Sequence, residues 1–188
     1  DAESIFDKII LCTTELLQEV KKLHPDSRVT AIGLTGMAES GVILDKSHKI
    51  IAQPIAWFDS RGEDEMNALG EEFKNEYQSK TGLVFKAESS LSSLLSMKSE
   101  GFDFTQSGIV WLNMLEYVAF RFTGTMATEP SLASRTALYD QSTLSMWTTA
   151  AKILGISDSF IPAERYAGDS WGTISSNEFA PELQGVMV

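Results

Sequence analysis

Val29 to Asp45 reads VTAIGLTGMAESGVILD, and this stretch decides the architecture. Its first seven residues, Val29–Thr35, are short-chained, apolar or β-branched, with no regular polar alternation. Such a run is expected of a central strand in a parallel sheet, where crossover helices bury both faces. Gly36 breaks it. Gly41–Leu44 then predicts a second strand, closed by the turn Asp45-Lys46-Ser47-His48. Between the two lies Met37-Ala38-Glu39-Ser40. Open α/β sheets bind ligands beyond the carboxyl ends of their strands, so this connection holds the first candidates for a site. Glu39 has the chemistry. Its carboxylate offers two acceptor oxygens, enough for two adjacent hydroxyls of a polyol. Position alone leaves a solvated turn residue as an equal alternative.

Upstream, Ile5, Ile9, Cys12, Leu16, Val20 and Leu23 recur at steps of three and four, which predicts one apolar helix face. His24-Pro25-Asp26-Ser27 ends the helix. Cys12 lies in that stripe and reads as a buried, inert thiol. Downstream, Ile50–Phe58 is expected to be extended, with Pro54 marking an edge or irregular ladder. Asp59 or Ser60 is placed to cap a polar helix running to about Gln78. Ser89–Met97 carries leucines at helical spacing. Ile109–Phe122 is apolar nearly all round and predicts one buried helix, closed by Thr123-Gly124. Residues 128–136 form a polar loop, Met146–Leu154 a short helix, and turns follow from Gly155. No repeat, linker or low-complexity tract interrupts residues 1–188, which read as one α/β domain.

Composition removes whole classes of function. Acidic residues number 26 against 15 basic ones, a net charge of −11. Duplex binding needs clustered Lys and Arg, so a nucleic-acid partner is not expected. A polybasic membrane contact is not expected either. The most apolar stretch, Ile109–Phe122, is too short for a bilayer core of about 30 Å and is interrupted by Asn113, Glu116 and Arg121. The first residues carry Asp1, Glu3 and Asp7, unlike a signal peptide. A cytoplasmic location is expected. One cysteine and two separated histidines, His24 and His48, argue against a disulfide framework or a zinc site, so no metal ligand is assigned.

Self-contained catalytic motifs are absent. There is no GxGxxG, no P-loop lysine, no GxSxG and no HExxH. Two further segments remain candidates. Ala56-Trp57-Phe58-Asp59-Ser60-Arg61 sets an indole beside a carboxylate and a guanidinium, which suits a sugar's C–H face and hydroxyls. The plainer reading is a core Trp, a helix cap and a surface ion pair. In the loop, Ser131, Ser134, Arg135 and Thr136 either bind an anion or satisfy backbone groups.

Taken in order, these pieces resemble the N-terminal domain of the FGGY family of carbohydrate kinases. Family members carry a strand similar to Ile32–Asp45, IGLTGMAESGVILD. A P-A-I-x-W-x-D-x-R segment follows, here PIAWFDSR at Pro54–Arg61, one residue shorter before the Trp. Thr81-Gly82-Leu83 matches a T-G-L, and Phe122-Thr123-Gly124 a helix ending in L-T-G. Glu129–Asp140, EPSLASRTALYD, matches D-x-S-x-A-S-R-T-x-L-x-D. Phe160-Ile161-Pro162, Ala167-Gly168, Gly172 and Ile174 match the family's tail pattern. The likeness covers essentially the whole chain.

The resemblance implies an actin-like, ribonuclease-H-like ATPase domain, present in part, with a mixed sheet flanked by helices. It implies transfer of the γ-phosphoryl of ATP, with Mg2+, to a hydroxyl of a sugar or polyol. Carried over by position, Glu39 falls on the family's substrate-binding His or Glu. Ala38 falls on its neighbour, Trp57 on the pocket Trp, and Asp59 and Arg61 on the W-x-D-x-R wall. Glu88 stands near where glycerol kinases place a tyrosine. Ala38 lacks the guanidinium of the glycerol-kinase version, and Glu39 is not the histidine of the xylulokinase version. Acidic Glu39 and Glu88 favour a neutral substrate over a sugar acid. The family's phosphate loop, general base and adenosine site have no counterpart in these residues, so no catalytic residue is assigned and the chain alone is expected to be inactive. A non-catalytic, degenerate homologue that binds sugar or a protein partner is the alternative. Family members pair further strands beside Val29–Thr35. An open edge there would leave the chain marginal or paired with a second copy, as a homodimer.

Overall fold

The computed structural model describes residues 1–188. Its centre is strand β1 (Gly41–Leu44), whose four residues are all buried. β2 (Ile50–Ala52) and β3 (Val110–Asn113) flank it in the order β2-β1-β3, both antiparallel. β1 pairs β3 in full register, from Gly41 opposite Asn113 to Leu44 opposite Val110. The turn into β2 is built by Asp45, whose Oδ1 accepts the backbone N–H of Ser47 at 2.7 Å and of Lys49 at 3.0 Å. Successive side chains of β1 point to opposite faces. Ile43 joins the largest core, while Val42 and Leu44 join a second one with Leu112 and Tyr117. Two-sided burial therefore belongs to β1 and not, as expected, to Val29–Thr35.

Val29–Thr35 is extended but lies in no ladder. Ala31 makes one parallel bridge to Met187, where the Ile32 N–H donates to the Met187 carbonyl at 2.9 Å. Val29, Ile32 and Leu34 pack against one small cluster, while Thr30, Ala31 and Gly33 are exposed. A strand with one partner at one residue has no second layer to bury its other face. The ladders are accordingly antiparallel, and parallel pairing survives only at isolated bridges.

The predicted helix at 109–122 divides into β3 and α5 (Met114–Thr123). The division is set by a capping box, in which Asn113 closes on Glu116 three residues later. Gly124, at φ 76°, ends α5 as expected. The polar helix after Ser60 also divides, into α2 (Glu63–Asn67) and α3 (Glu71–Thr81), entered through Gly62 and Gly70. Asp59 and Ser60 cap neither. Gly62 stands at φ 85°, and a Cβ there would lie 1.9 Å from the Ser92 carbonyl oxygen, so only glycine lets α2 approach α4 (Ser90–Ser99). α3, α4 and α7 (Thr148–Leu154) enclose the largest core, where Phe73 stacks on Trp147 at 4.5 Å between ring centres. The 128–136 loop contains a short helix, α6 (Pro130–Ser134), capped by Glu129. The hairpin β4 (Tyr139–Asp140) and β5 (Ser145–Met146) follows it.

Helix α1 (Ala2–Leu23) forms, but rotated from the expected face. Ala2, Phe6, Ile9, Ile10 and Leu17 turn inward, while Ile5, Leu16, Leu23 and Cys12 are exposed. Cys12 is thus not a buried thiol. Phe6 sets the rotation: its ring meets Phe122 and Phe179 edge-on at 6.2 and 5.8 Å. Glu3 reinforces it, taking the Tyr117 hydroxyl at 2.6 Å and Arg121 Nη1 at 2.7 Å. No helix is long and apolar enough to cross a membrane.

Candidate functional site

Met37, Ala38, Glu39, Trp57, Glu88 and Arg135 line an open cleft of about 380 Å³. They arrive from four parts of the chain: the connection before β1, the turn after β2, the approach to α4 and the exit of α6. Four of the six residues expected to bind substrate, Ala38, Glu39, Trp57 and Glu88, therefore meet at one place. Asp59 and Arg61 do not line it. They pair with each other at 2.8 Å, and Asp59 also accepts the Arg61 backbone N–H at 3.0 Å. That pair, led by the side-chain hydrogen bond, holds the Asp59 carboxyl below the usual carboxylate range. It is a closed local turn.

Glu39 is the strained residue of the site. Its φ of 67° lies in the left-handed region, which costs a non-glycine residue on the order of 1–3 kcal/mol unless its surroundings enforce it. The surroundings do. Ser90 Oγ donates to the Glu39 carbonyl at 3.1 Å. The next residue, Ser40, is tied by its carbonyl to the Met114 N–H at 2.9 Å. Arg135 Nε donates to Glu39 Oε1 at 2.6 Å, and Arg135 Nη2 reaches the same oxygen. No group of the chain donates to Oε2. The Glu39 side chain is 13% exposed and that of Arg135 44%, so the pair sits at the cleft wall with the guanidinium outward.

The other walls differ in character. Trp57 is 46% exposed and braced edge-on by Phe58 at 5.6 Å, so it is not the core Trp of the plainer reading. Ala38 contributes a methyl group. Glu88 is paired with Lys86, half of each side chain being exposed. Ser40 and Ser89, next in the chain to Glu39 and Glu88, bury hydroxyls that find no partner. The cleft thus offers an indole face, one outward guanidinium and two carboxylate oxygens without a donor, Glu39 Oε2 and Glu88 Oε1. Aromatic faces cover sugar C–H groups, and carboxylates take hydroxyls. Arg135 was legible as a polar loop residue but not as a partner of Glu39, because 96 positions separate them and no local pattern joins them.

A hollow of about 480 Å³ lies elsewhere, between Ala31–Gly36, Glu116, Glu129 and Asp169–Trp171. Its buried carboxylate is already satisfied. Glu116 accepts the Asn113 N–H at 2.8 Å, Asn113 Nδ2 at 3.0 Å, the Thr128 hydroxyl at 2.7 Å and the Glu129 N–H at 3.0 Å. Burial pushes its carboxyl upward against those four donors.

No group of three His, Cys, Asp or Glu side chains is arranged to hold a metal ion, and no glycine-rich phosphate loop occurs. These residues do not fit an ATP–Mg2+ site.

A family model described as "FGGY family of carbohydrate kinases, N-terminal domain" matches residues 1–187. A glycerol kinase of Thermococcus gammatolerans is 27% identical over 169 residues, covering 88% of this chain and 34% of the relative. Among solved structures, a gluconate kinase from Lactobacillus acidophilus superposes with a TM-score of 0.85 at 21% identity, over 99% of this chain and 38% of that one. A Plasmodium falciparum glycerol kinase with ADP gives 0.87 at 22% identity, over 100% and 38%. Both carry the actin-like fold, and this chain shares it. The chain spans about a third of the length of the curated relatives it matches.

Proposed function

The chain belongs to the FGGY family of carbohydrate kinases, and from that premise we propose that it forms the sugar- or polyol-binding part of an ATP-dependent kinase that phosphorylates a hydroxyl group. The observation that carries this reading is Glu39. It lines the cleft in a strained backbone conformation, with one carboxylate oxygen bound by Arg135 and the other without a donor. Strain persists at a position when the surroundings over-determine it, and such positions concentrate at binding sites. Glu39 Oε2 accepts a substrate hydroxyl, Trp57 covers the adjoining C–H face, and Ala38 leaves room for the carbon chain. The lining carries two carboxylates and one guanidinium, a balance that favours a neutral polyhydroxylated substrate over a sugar acid. ATP and Mg2+ are then handled by parts of the protein other than these residues. Phosphoryl transfer is mostly positioning and charge neutralisation, so the share of this chain is to fix the acceptor.

A coupled assay of ADP release tests this, run on the full-length protein with glycerol, a pentulose and gluconate. The expected result is acceptor-dependent ATP turnover. Glu39→Gln should then raise the acceptor KM by about tenfold or more, the value of one charge-assisted hydrogen bond, and leave the ATP KM unchanged. Equal effects on both KM values would sink the assignment of Glu39. Absence of turnover with a retained, Glu39-dependent affinity for the acceptor would identify a non-catalytic sugar-binding homologue instead.

A further inference from the structure

We propose that Arg135 sets the selectivity of the cleft between neutral polyols and sugar acids; this rests on the reading of the cleft as a hydroxyl-binding site. A guanidinium carries five N–H donors in a fixed plane. Two of them are directed at Glu39, both at Oε1. This fixes the carboxylate through one oxygen and leaves Oε2 without a donor, and it leaves the remaining donors of a 44% exposed side chain available to a ligand. Position 38 carries only a methyl group, so Arg135 is the one cation among the lining residues.

Two adjacent functions result. Glu39 Oε2 accepts from one hydroxyl, and the Arg135 nitrogens donate to the next. That is the pattern of a vicinal diol, in which each hydroxyl both donates and accepts. A ligand carboxylate meets a different situation. It has no proton for Oε2, it is repelled by Glu39 and Glu88, and it must compete with Glu39 for the same guanidinium. Arg135 therefore serves neutral ligands as long as Glu39 is charged. It becomes a carboxylate site once that charge is removed.

The matched probes are D-glucitol and D-gluconate, which differ only in a terminal CH2OH against a carboxylate. Calorimetric titration of the full-length protein gives the ratio of their affinities. The wild type should prefer glucitol. In Glu39→Gln the ratio should fall by at least about tenfold, because the guanidinium is freed for gluconate. In Arg135→Gln it should rise by a similar factor, while glucitol itself binds more weakly. Arg135→Lys keeps the charge without the planar fork, and should restore the wild-type ratio with glucitol affinity still reduced. A merely structural Arg135 would lower both affinities together and leave the ratio unchanged in every variant, which overturns the proposal. If Arg135→Gln does not fold, Glu39→Gln and Arg135→Lys decide the matter by the same ratio. Failure of the wild type to bind either probe overturns the reading of the cleft itself, and the selectivity role with it.

Discussion

Glu39 and Glu116 are both glutamates tied to the segment 128–136, and the fold uses them in opposite ways. Glu116 is 1% exposed, and its two oxygens accept four hydrogen bonds, from Asn113, Thr128 and Glu129. It pins the start of α5 to the loop that follows. Glu39 stands at the cleft wall with one oxygen held twice by Arg135 and the other without any donor. The difference teaches how to tell a structural carboxylate from a binding one. A saturated carboxylate has no capacity left for a ligand, and a fixed but half-satisfied one is prepared for it. Burial alone would have chosen Glu116.

The largest test breaks the saturated member. Glu116→Ala leaves two backbone N–H groups, an amide and a hydroxyl without their acceptor, and should cost about 3 kcal/mol or more in chemical denaturation. A loss below about 1 kcal/mol would mean that the network is not what holds α5. Ligand binding by the folded fraction should be untouched, the reverse of the pattern expected for Glu39→Gln.

Asp140 extends the contrast to pH. The Ser142 hydroxyl and the Lys80 ammonium, which lies 2.9 Å away, lower its carboxyl from 3.8 to about 2. A depressed carboxyl stabilises the fold above its unfolded value, and that stability is lost as pH falls through the folded value. Glu116, pushed upward by burial, has the opposite sign: its titration takes stability away as pH rises through its folded value, although its four donors remain. Asp140→Asn should cost roughly 1–2 kcal/mol at neutral pH and nothing once pH is well below the folded value, so that the variant's stability falls less steeply with acid than the wild type's. An unchanged acid limb would exclude Asp140 as its source.

Smaller effects belong to the cleft's other wall. Trp57→Ala should weaken acceptor binding by about fivefold, near 1 kcal/mol, and hardly change stability, because the indole is half-exposed in the free protein. The smallest effect is expected from Asp59→Asn. Its partner Arg61 is 47% exposed, and exposed pairs contribute about 0–1 kcal/mol, so acceptor affinity should stay within twofold of wild type. A large loss on Asp59→Asn would return the W-x-D-x-R pair to the site.

Local chemistry made part of this legible. The rule that ligands gather at strand ends singled out Glu39, while the indole beside Asp59 and Arg61 pointed to Trp57, and Ala38 and Glu88 came only from the family resemblance; the structure brings these four to one cleft. The leucine spacing of α4 and the glycine that ends α5 were equally plain. What failed depended on distant packing. Val29–Thr35 has the composition of a buried strand, but burial needs neighbours that a local reading cannot supply. The apolar run at 109–122 concealed its own boundary, although Asn113 and Glu116 carry a capping-box signature within it. The face of α1 was misjudged because Phe6 lies outside the regular stripe, and its aromatic partners are more than a hundred residues away. The pairing of Arg135 with Glu39 escaped for the same reason.

The central claim is that Glu39 Oε2 is the acceptor for a substrate hydroxyl. A crystal structure of the full-length protein with its bound polyol or sugar tests it most directly. A hydroxyl within about 2.5–3.0 Å of Glu39 Oε2, with the carbon chain against the Trp57 indole, is the predicted result. A ligand seated instead in the hollow beside Ala31–Gly36, with Glu39 Oε2 facing only solvent, would contradict it.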